Sequence, residues 1–227
     1  GTAKLLDLGV ELPGAFELAR HARDLGILVA CAHSKAGYDA MIEGMEHGIT
    51  HATHLYNVMT GLHHRRPGIT GAALTSDMMT CELICDTYHV HPAAMEIAIR
   101  CKGYDRIAIV TDLSMAGIPD GEYVKPGGVA VVVKDGVCRF KGSDPSQDNT
   151  MSGSCFTQNV GVRNVHKLLG HPLHAAIRMA TISPAKMIGI DSFTGSLEVG
   201  KDADIAVFDD DFNSLETIVK GTSVYQK

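Results

Sequence analysis

No apolar run of about 18 residues, the length that a membrane-spanning helix requires, occurs in the 227 residues. No secretory leader is legible either, and a cytoplasmic protein with no membrane partner is the expectation. Basic clusters are also missing. Arg65-Arg66 is the one tight basic pair near a candidate site, and a net charge of −6 with a pI near 6.0 argues against a nucleic-acid partner. The six cysteines (Cys31, Cys81, Cys85, Cys101, Cys138, Cys155) show no CxxC and no framework spacing, so they are expected to be reduced thiols, several buried in strands. Cys81 and Cys85 share a face if their run is a strand, and core packing is the expected role of that pair. No internal repeat or low-complexity segment appears. With 45% hydrophobic and 20% charged residues, the chain has the ordinary makings of a sizeable core.

What is present is an alternation of two periods. Helical spacing over 15–25 is followed by the apolar run 27–32, then helical spacing over 36–47 and a strand pattern over 49–54. A Gly-, His- and Arg-rich stretch at 59–71 is expected to be a loop. A strand at 81–85, a helix at 92–102 and a strand at 106–111 follow, and 3–9 is a candidate further strand. Strands alternating with helices of about a dozen residues predict parallel βαβ units. After Asp112 the pattern changes to a hairpin over 129–140, turning at Lys134-Asp135-Gly136. Helices are expected at 155–168, 173–180 and 184–188, and strands of a small accessory sheet within 195–208 and 218–225. Residues 141–150 are polar, with Pro and Gly, and predict a mobile loop. Eight strand–helix units and roughly 250 residues close a barrel. Four clear units here predict the later part of something larger.

Parallel α/β folds bind ligands at the C-terminal ends of their strands. His33, His54, His89 and Asp112 all stand at such ends. Imidazoles suit zinc and similar divalent ions, and a carboxylate nearby can take a proton from water that a metal has acidified; Asp112 is the candidate base. His51 stands three residues before His54, on the opposite face of a strand, and is expected to pack elsewhere. His89 and His91 stand two apart and would share a face on a continuing strand, but Pro92 ends the regular structure. His63, His64, Arg65 and Arg66 form either an anion-receiving loop or a solvated one. Gly117 to Gly121 reads as turn chemistry at the rim of a site.

His33-Ser34, Thr53-His54-Leu55-Tyr56-Asn57, Arg65-x-Pro67-Gly68, Asp86-x-x-His89-Val90, Val110-Thr111-Asp112, Ser152-Gly153-Ser154 and Arg178-Met179-Ala180-Thr181 share one further property. They occur in the order seen in the N-acetylglucosamine-6-phosphate deacetylases of the amidohydrolase superfamily, which the sequence resembles from about Glu11 to Val224. The resemblance implies an α/β fold, a (β/α)8 TIM barrel of which this chain carries the later strands, with a small accessory β-sandwich segment. On that division, residues 1–126 are the later half of the barrel, 127–192 the hairpin insertion and C-terminal barrel helices, and 193–227 the sandwich strands.

It further implies a metal-dependent hydrolase that deacetylates N-acetylglucosamine 6-phosphate. His33 and His54 would be metal ligands, for zinc or else iron, cobalt or manganese. Asp112 would activate water and then protonate the leaving amine. His89 would hold the phosphate or the carbonyl region, and Asn57, the Val58 backbone and Arg65 would form a phosphate site, across a homodimer interface. Ser154, with Ser152 and Gly153, would line the sugar pocket. The chain also departs from the pattern. The family's glutamate ligand, from a His-Leu-Glu-Gly-Pro-like segment, has no counterpart, since Glu11 matches a different position. Ala32 and Thr87 replace usual glycines, Leu113 a common alanine, and Cys155-Phe156-Thr157-Gln158 a Ser-Leu-Thr-Met. Those changes bear on pocket lining more than on chemistry. Alternatives are an amidohydrolase for a different amide or cyclic amide, and a truncated chain that binds metal or sugar phosphate without turnover.

Overall fold

A computed structural model describes residues 2–114, 118–144, 146 and 150–227. Five strands, β1 (Leu5–Leu8), β2 (Leu28–Cys31), β3 (Ile49–Ala52), β4 (Thr80–Ile84) and β5 (Ile107–Val110), form one parallel sheet in chain order. Helices α1 (Ala15–Asp24), α2 (Tyr38–Glu46), α3 (Gly68–Thr75) and α4 (Pro92–Lys102) make the crossovers, giving the expected βαβ series. The α4 boundary follows from its sequence: Pro92 supplies a fixed helical φ, and the His91 side chain caps the helix by accepting from Ala93 N at 3.1 Å. That capping role, on an exposed residue, removes His91 from any His-x-His pair.

Two neighbouring rows of cross-strand partners define the two faces of the sheet. Leu8, Cys31, Ala52, Cys81 and Ile107 stand in register and belong to the main core, packed with fully buried Met41, Ile69, Met95 and Met179. Removing each such side chain from water is worth about 1.5–3 kcal/mol. The next row, Asp7, Ala30, His51 and Thr80, faces the other way and is polar. Thr53 Oγ1 donates to Asp7 Oδ1 at 2.5 Å, and His51 Nδ1 lies 2.6 Å from Thr80 Oγ1. None of the six cysteines is in a disulfide; burial pushes the Cys31 thiol up to about 11 and that of Cys81 to about 12.

The expected loop at 59–71 is only partly one, because α3 begins at Gly68 and is buried on every side as far as Leu74. The expected hairpin is the centre of a larger element. β6 (Gly121–Val124), β7 (Ala130–Lys134), β8 (Val137–Phe140) and β9 (Met151–Ser154) form a four-stranded antiparallel sheet with a small core of Val131, Val133 and Cys138. β6 pairs with β7 across the expected 126/127 division. Of the two segments read as turn or loop, Gly117 and residues 145 and 147–149 lie outside the described residues.

Helix α5 (Gln158–Arg163) starts three residues later than expected and runs on as a π-helical turn, Asn164–Leu168. It seats directly on the strand ends. Gln158 Nε2 donates to Ile109 O at 2.6 Å, Asn164 Nδ2 to Cys85 O at 2.8 Å, and a Cβ on Gly161 would stand 2.7 Å from Ile109 Cγ2. Helices α6 (Leu173–Ala180) and α7 (Ile182–Met187) follow. The C-terminal strands are three, β10 (Ile205–Phe208), β11 (Ser214–Val219) and β12 (Thr222–Gln226), in their own antiparallel sheet; 195–204 is irregular. Among the described residues no helix is long and apolar enough to cross a membrane.

Candidate functional site

His33, His54 and Asp112 each stand two residues beyond the end of a strand, β2, β3 and β5 respectively. All three hold a left-handed backbone, with φ of 46°, 35° and 48°. For residues with a Cβ this conformation is strained, and such strain concentrates at functional positions. The shared offset brings all three side chains to one cleft of about 1150 Å³ at the C-terminal edge of the sheet.

The His33 and His54 ring centroids lie 4.9 Å apart, tilted by 39°. His54 is 8% exposed, and its Nδ1 is buried with no hydrogen-bond partner among the described residues. Two imidazoles that close together, one with an orphaned nitrogen, fit a shared divalent ion of the zinc type. Among the described residues no group of three His, Cys, Asp or Glu side chains converges, so the described residues offer two corners of such a site.

Supporting contacts hold the strand ends in place. Glu82 Oε2 accepts from His54 N at 3.3 Å, and its Oε1 lies 3.5 Å from His51 Nε2. His51 is 2% exposed and packs within the sheet against Thr80. Asn57 Nδ2 donates to His54 O and Leu55 O, at 3.2 and 3.3 Å, and so braces the turn after β3. Ser34 Oγ donates to Glu11 Oε2 at 2.5 Å, and Lys35 N to Glu11 Oε1 at 2.8 Å. Partial burial alone would raise the Glu11 pKa, but these bonds outweigh it and hold the carboxyl below its usual range.

His89 lines the cleft, and its Nδ1 lies 2.6 Å from Asp86 Oδ2, while Asp86 Oδ1 accepts from the backbone of Tyr88 and His89. The carboxylate thus keeps a proton on Nδ1 and leaves Nε2 as the ring atom for a ligand. Asn57 and Val58 also line the cleft.

Two expected residues do not. Arg65 is exposed on the tight turn closed by the His63–Arg66 pairing, outside the lining. Ser154 is 2% exposed and sits behind the surface that Ser152 and Gly153 present. Its backbone takes another part: Ser154 N donates to Asp112 O at 2.8 Å, and Ser114 N to Ser154 O at 3.0 Å. The β9 strand therefore clamps the loop that carries Asp112. Gly153 (φ 69°) permits that approach, since a Cβ there would stand 2.9 Å from Asp112 O. Two lining cations, Lys125 and Arg139 from the antiparallel sheet, carry no sequence signal, because charges beside a hairpin read as solvated.

Residues 10–224 match the model of the amidohydrolase family. An N-acetylglucosamine-6-phosphate deacetylase of Vibrio furnissii is 39% identical over 219 residues, 96% of this chain and 53% of the relative. An N-acetylgalactosamine-6-phosphate deacetylase of Escherichia coli O157:H7 is 36% identical over 221 residues, 97% of this chain and 56% of the relative. A solved structure of a Mycobacterium smegmatis N-acetyl-D-glucosamine-6-phosphate deacetylase variant, in complex with N-acetyl-D-glucosamine-6-phosphate, matches with a TM-score of 0.90 at 29% identity. That match covers 98% of this chain and 58% of the other. The chain spans about half the length of these relatives.

Proposed function

The chain belongs to the amidohydrolase family, and from that premise we propose that it carries out metal-dependent deacetylation of N-acetylglucosamine 6-phosphate, to glucosamine 6-phosphate and acetate. The observation that carries this reading is the common placement of His33, His54 and Asp112, each two residues past its strand and each left-handed, around one cleft.

His33 and His54 would hold a divalent ion, zinc by their donor chemistry, with iron, cobalt or manganese as alternatives. Such an ion polarises a carbonyl and acidifies water. Asp112 then takes a proton from the attacking water and returns it to the leaving nitrogen, so one carboxylate serves as base and then acid. His89, set by Asp86, faces the carbonyl region or the phosphate. Asn57 and the Val58 backbone lie at the phosphate end, and Arg65, exposed on its turn, would reach the site of a second copy in a homodimer. Ser152 to Ser154 back the sugar pocket.

On the same reading the five parallel strands are the later part of a (β/α)8 barrel, with β10–β12 as the accessory β-sandwich segment. Six cysteines without a disulfide suit a reducing compartment, the cytoplasm. A second reading has specific support: similarity to an N-acetylgalactosamine-6-phosphate deacetylase points to the C4 epimer as substrate. Acetate release from the two hexosamine phosphates by zinc-loaded protein separates them, and a chelator should abolish turnover of either. Folded, zinc-loaded protein that releases no acetate from both would overturn the proposal.

A further inference from the structure

We infer that Glu82 is a positioning residue for the His33–His54 pair: from the polar face of the sheet it fixes the direction of the His54 imidazole by gripping the His54 main chain. The inference deepens the metal-dependent reading of the cleft and rests on it. A histidine that binds a metal is ordinarily oriented by a hydrogen bond to its other ring nitrogen. Neither ring nitrogen of His54 makes one among the described residues, and Nδ1 is buried. The ring is therefore aimed through its main chain, which is left-handed with φ of 35°. A residue with a Cβ stays in that region only where its surroundings over-determine it.

Glu82 supplies that constraint twice over. It lies on β4 two residues beyond Thr80, hence on the same polar face of the sheet as His51. Its Oε2 accepts from His54 N at 3.3 Å, and its main-chain O accepts from Leu55 N at 2.9 Å. The carboxylate is itself held, because Oε1 lies 3.5 Å from Nε2 of the buried His51 ring, whose Nδ1 lies 2.6 Å from Thr80 Oγ1. Thr80 Oγ1 in turn donates to Thr50 O at 3.4 Å. One run of contacts thus leads from Thr50 through Thr80, His51 and Glu82 to the His54 main chain, and Asn57 Nδ2 closes the turn from the other side at His54 O. Two rings with centroids 4.9 Å apart converge on one ion over a narrow range of directions. Loosening the His54 main chain therefore costs metal affinity, and not stability alone.

Zinc affinity, measured by competition with a chromophoric chelator, and the visible spectrum of the cobalt(II)-loaded chain test this role without turnover. Glu82→Ala should weaken zinc binding by about tenfold to a hundredfold, the usual cost of removing a residue that orients a metal ligand, and should alter the cobalt d–d bands. Glu82→Gln keeps an acceptor at the same reach and should recover most of the affinity. Glu82→Asp withdraws the carboxylate by one methylene, should weaken zinc as the alanine does, and decides the matter if Glu82→Ala fails to fold. Ser183→Ala removes a buried hydrogen bond to Tyr104 O, 2.9 Å long and outside the cleft lining. It should lower the Tm and leave zinc affinity and the cobalt spectrum unchanged. Wild-type affinity and spectrum in folded Glu82→Ala, or in Glu82→Asp where that variant alone folds, would overturn the role while leaving the metal reading intact. A wild-type chain that binds no zinc would remove the metal reading, and the positioning role with it.

Discussion

A left-handed backbone costs a residue with a Cβ roughly 1–2 kcal/mol, and His33, His54 and Asp112 all adopt one. The clamp around Asp112 explains how one of these is sustained: Gly153 lets β9 approach to where Ser154 N reaches Asp112 O. Gly153→Ala should therefore lower the Tm by more than Gly136→Ala. Both glycines have positive φ, but a Cβ on Gly136 meets nothing within 4 Å. Equal Tm losses would show that the close approach carries no stability. At this scale much of the site was legible, since His33, His54 and Asp112 each terminate an apolar run. Lys125 and Arg139 were not, because their meaning depends on which face of a short strand meets the cleft. Ser154 was legible as part of a motif, but its part is played by backbone atoms that a motif does not display.

At the scale of elements, the loops after β1 and β2 are joined through Glu11, which ties Ser34 and Lys35 and so orders the turn that follows His33. Because the folded pKa of Glu11 is depressed, its contribution is present at neutral pH and is lost as pH falls through that lowered value. Glu11→Gln should thus reduce the Tm at pH 7, with the difference from wild type vanishing on acidification below the usual carboxylate range. A difference that persists unchanged in acid would contradict this assignment. Helix α3 was hidden in the sequence for a physical reason. Gly68 to Leu74 are all buried, so the helix has no polar stripe to give it a period, and two glycines weaken its propensity. The hairpin was plain from its turn, whereas β6 and β9 are four residues each and depend on pairing for their identity.

The whole molecule sets a helix-facing apolar row, Leu8 to Ile107, against a polar row, Asp7 to Thr80, and gathers three strand ends at one edge. Alternating periods in the sequence revealed that parallel series, but the partition of the C-terminal region into two further sheets needed long-range pairing to see. Although the chain is acidic overall, its cleft gathers cations around a lone described carboxylate, Asp112. That carboxylate is the centre of the account, and zinc-loaded Asp112→Asn assayed for acetate release from N-acetylglucosamine 6-phosphate tests it most directly. The expected result is a rate lower by about a hundredfold to ten-thousandfold, the usual worth of a positioned general acid–base, with metal content and circular dichroism unchanged. Wild-type turnover in the folded variant would contradict it.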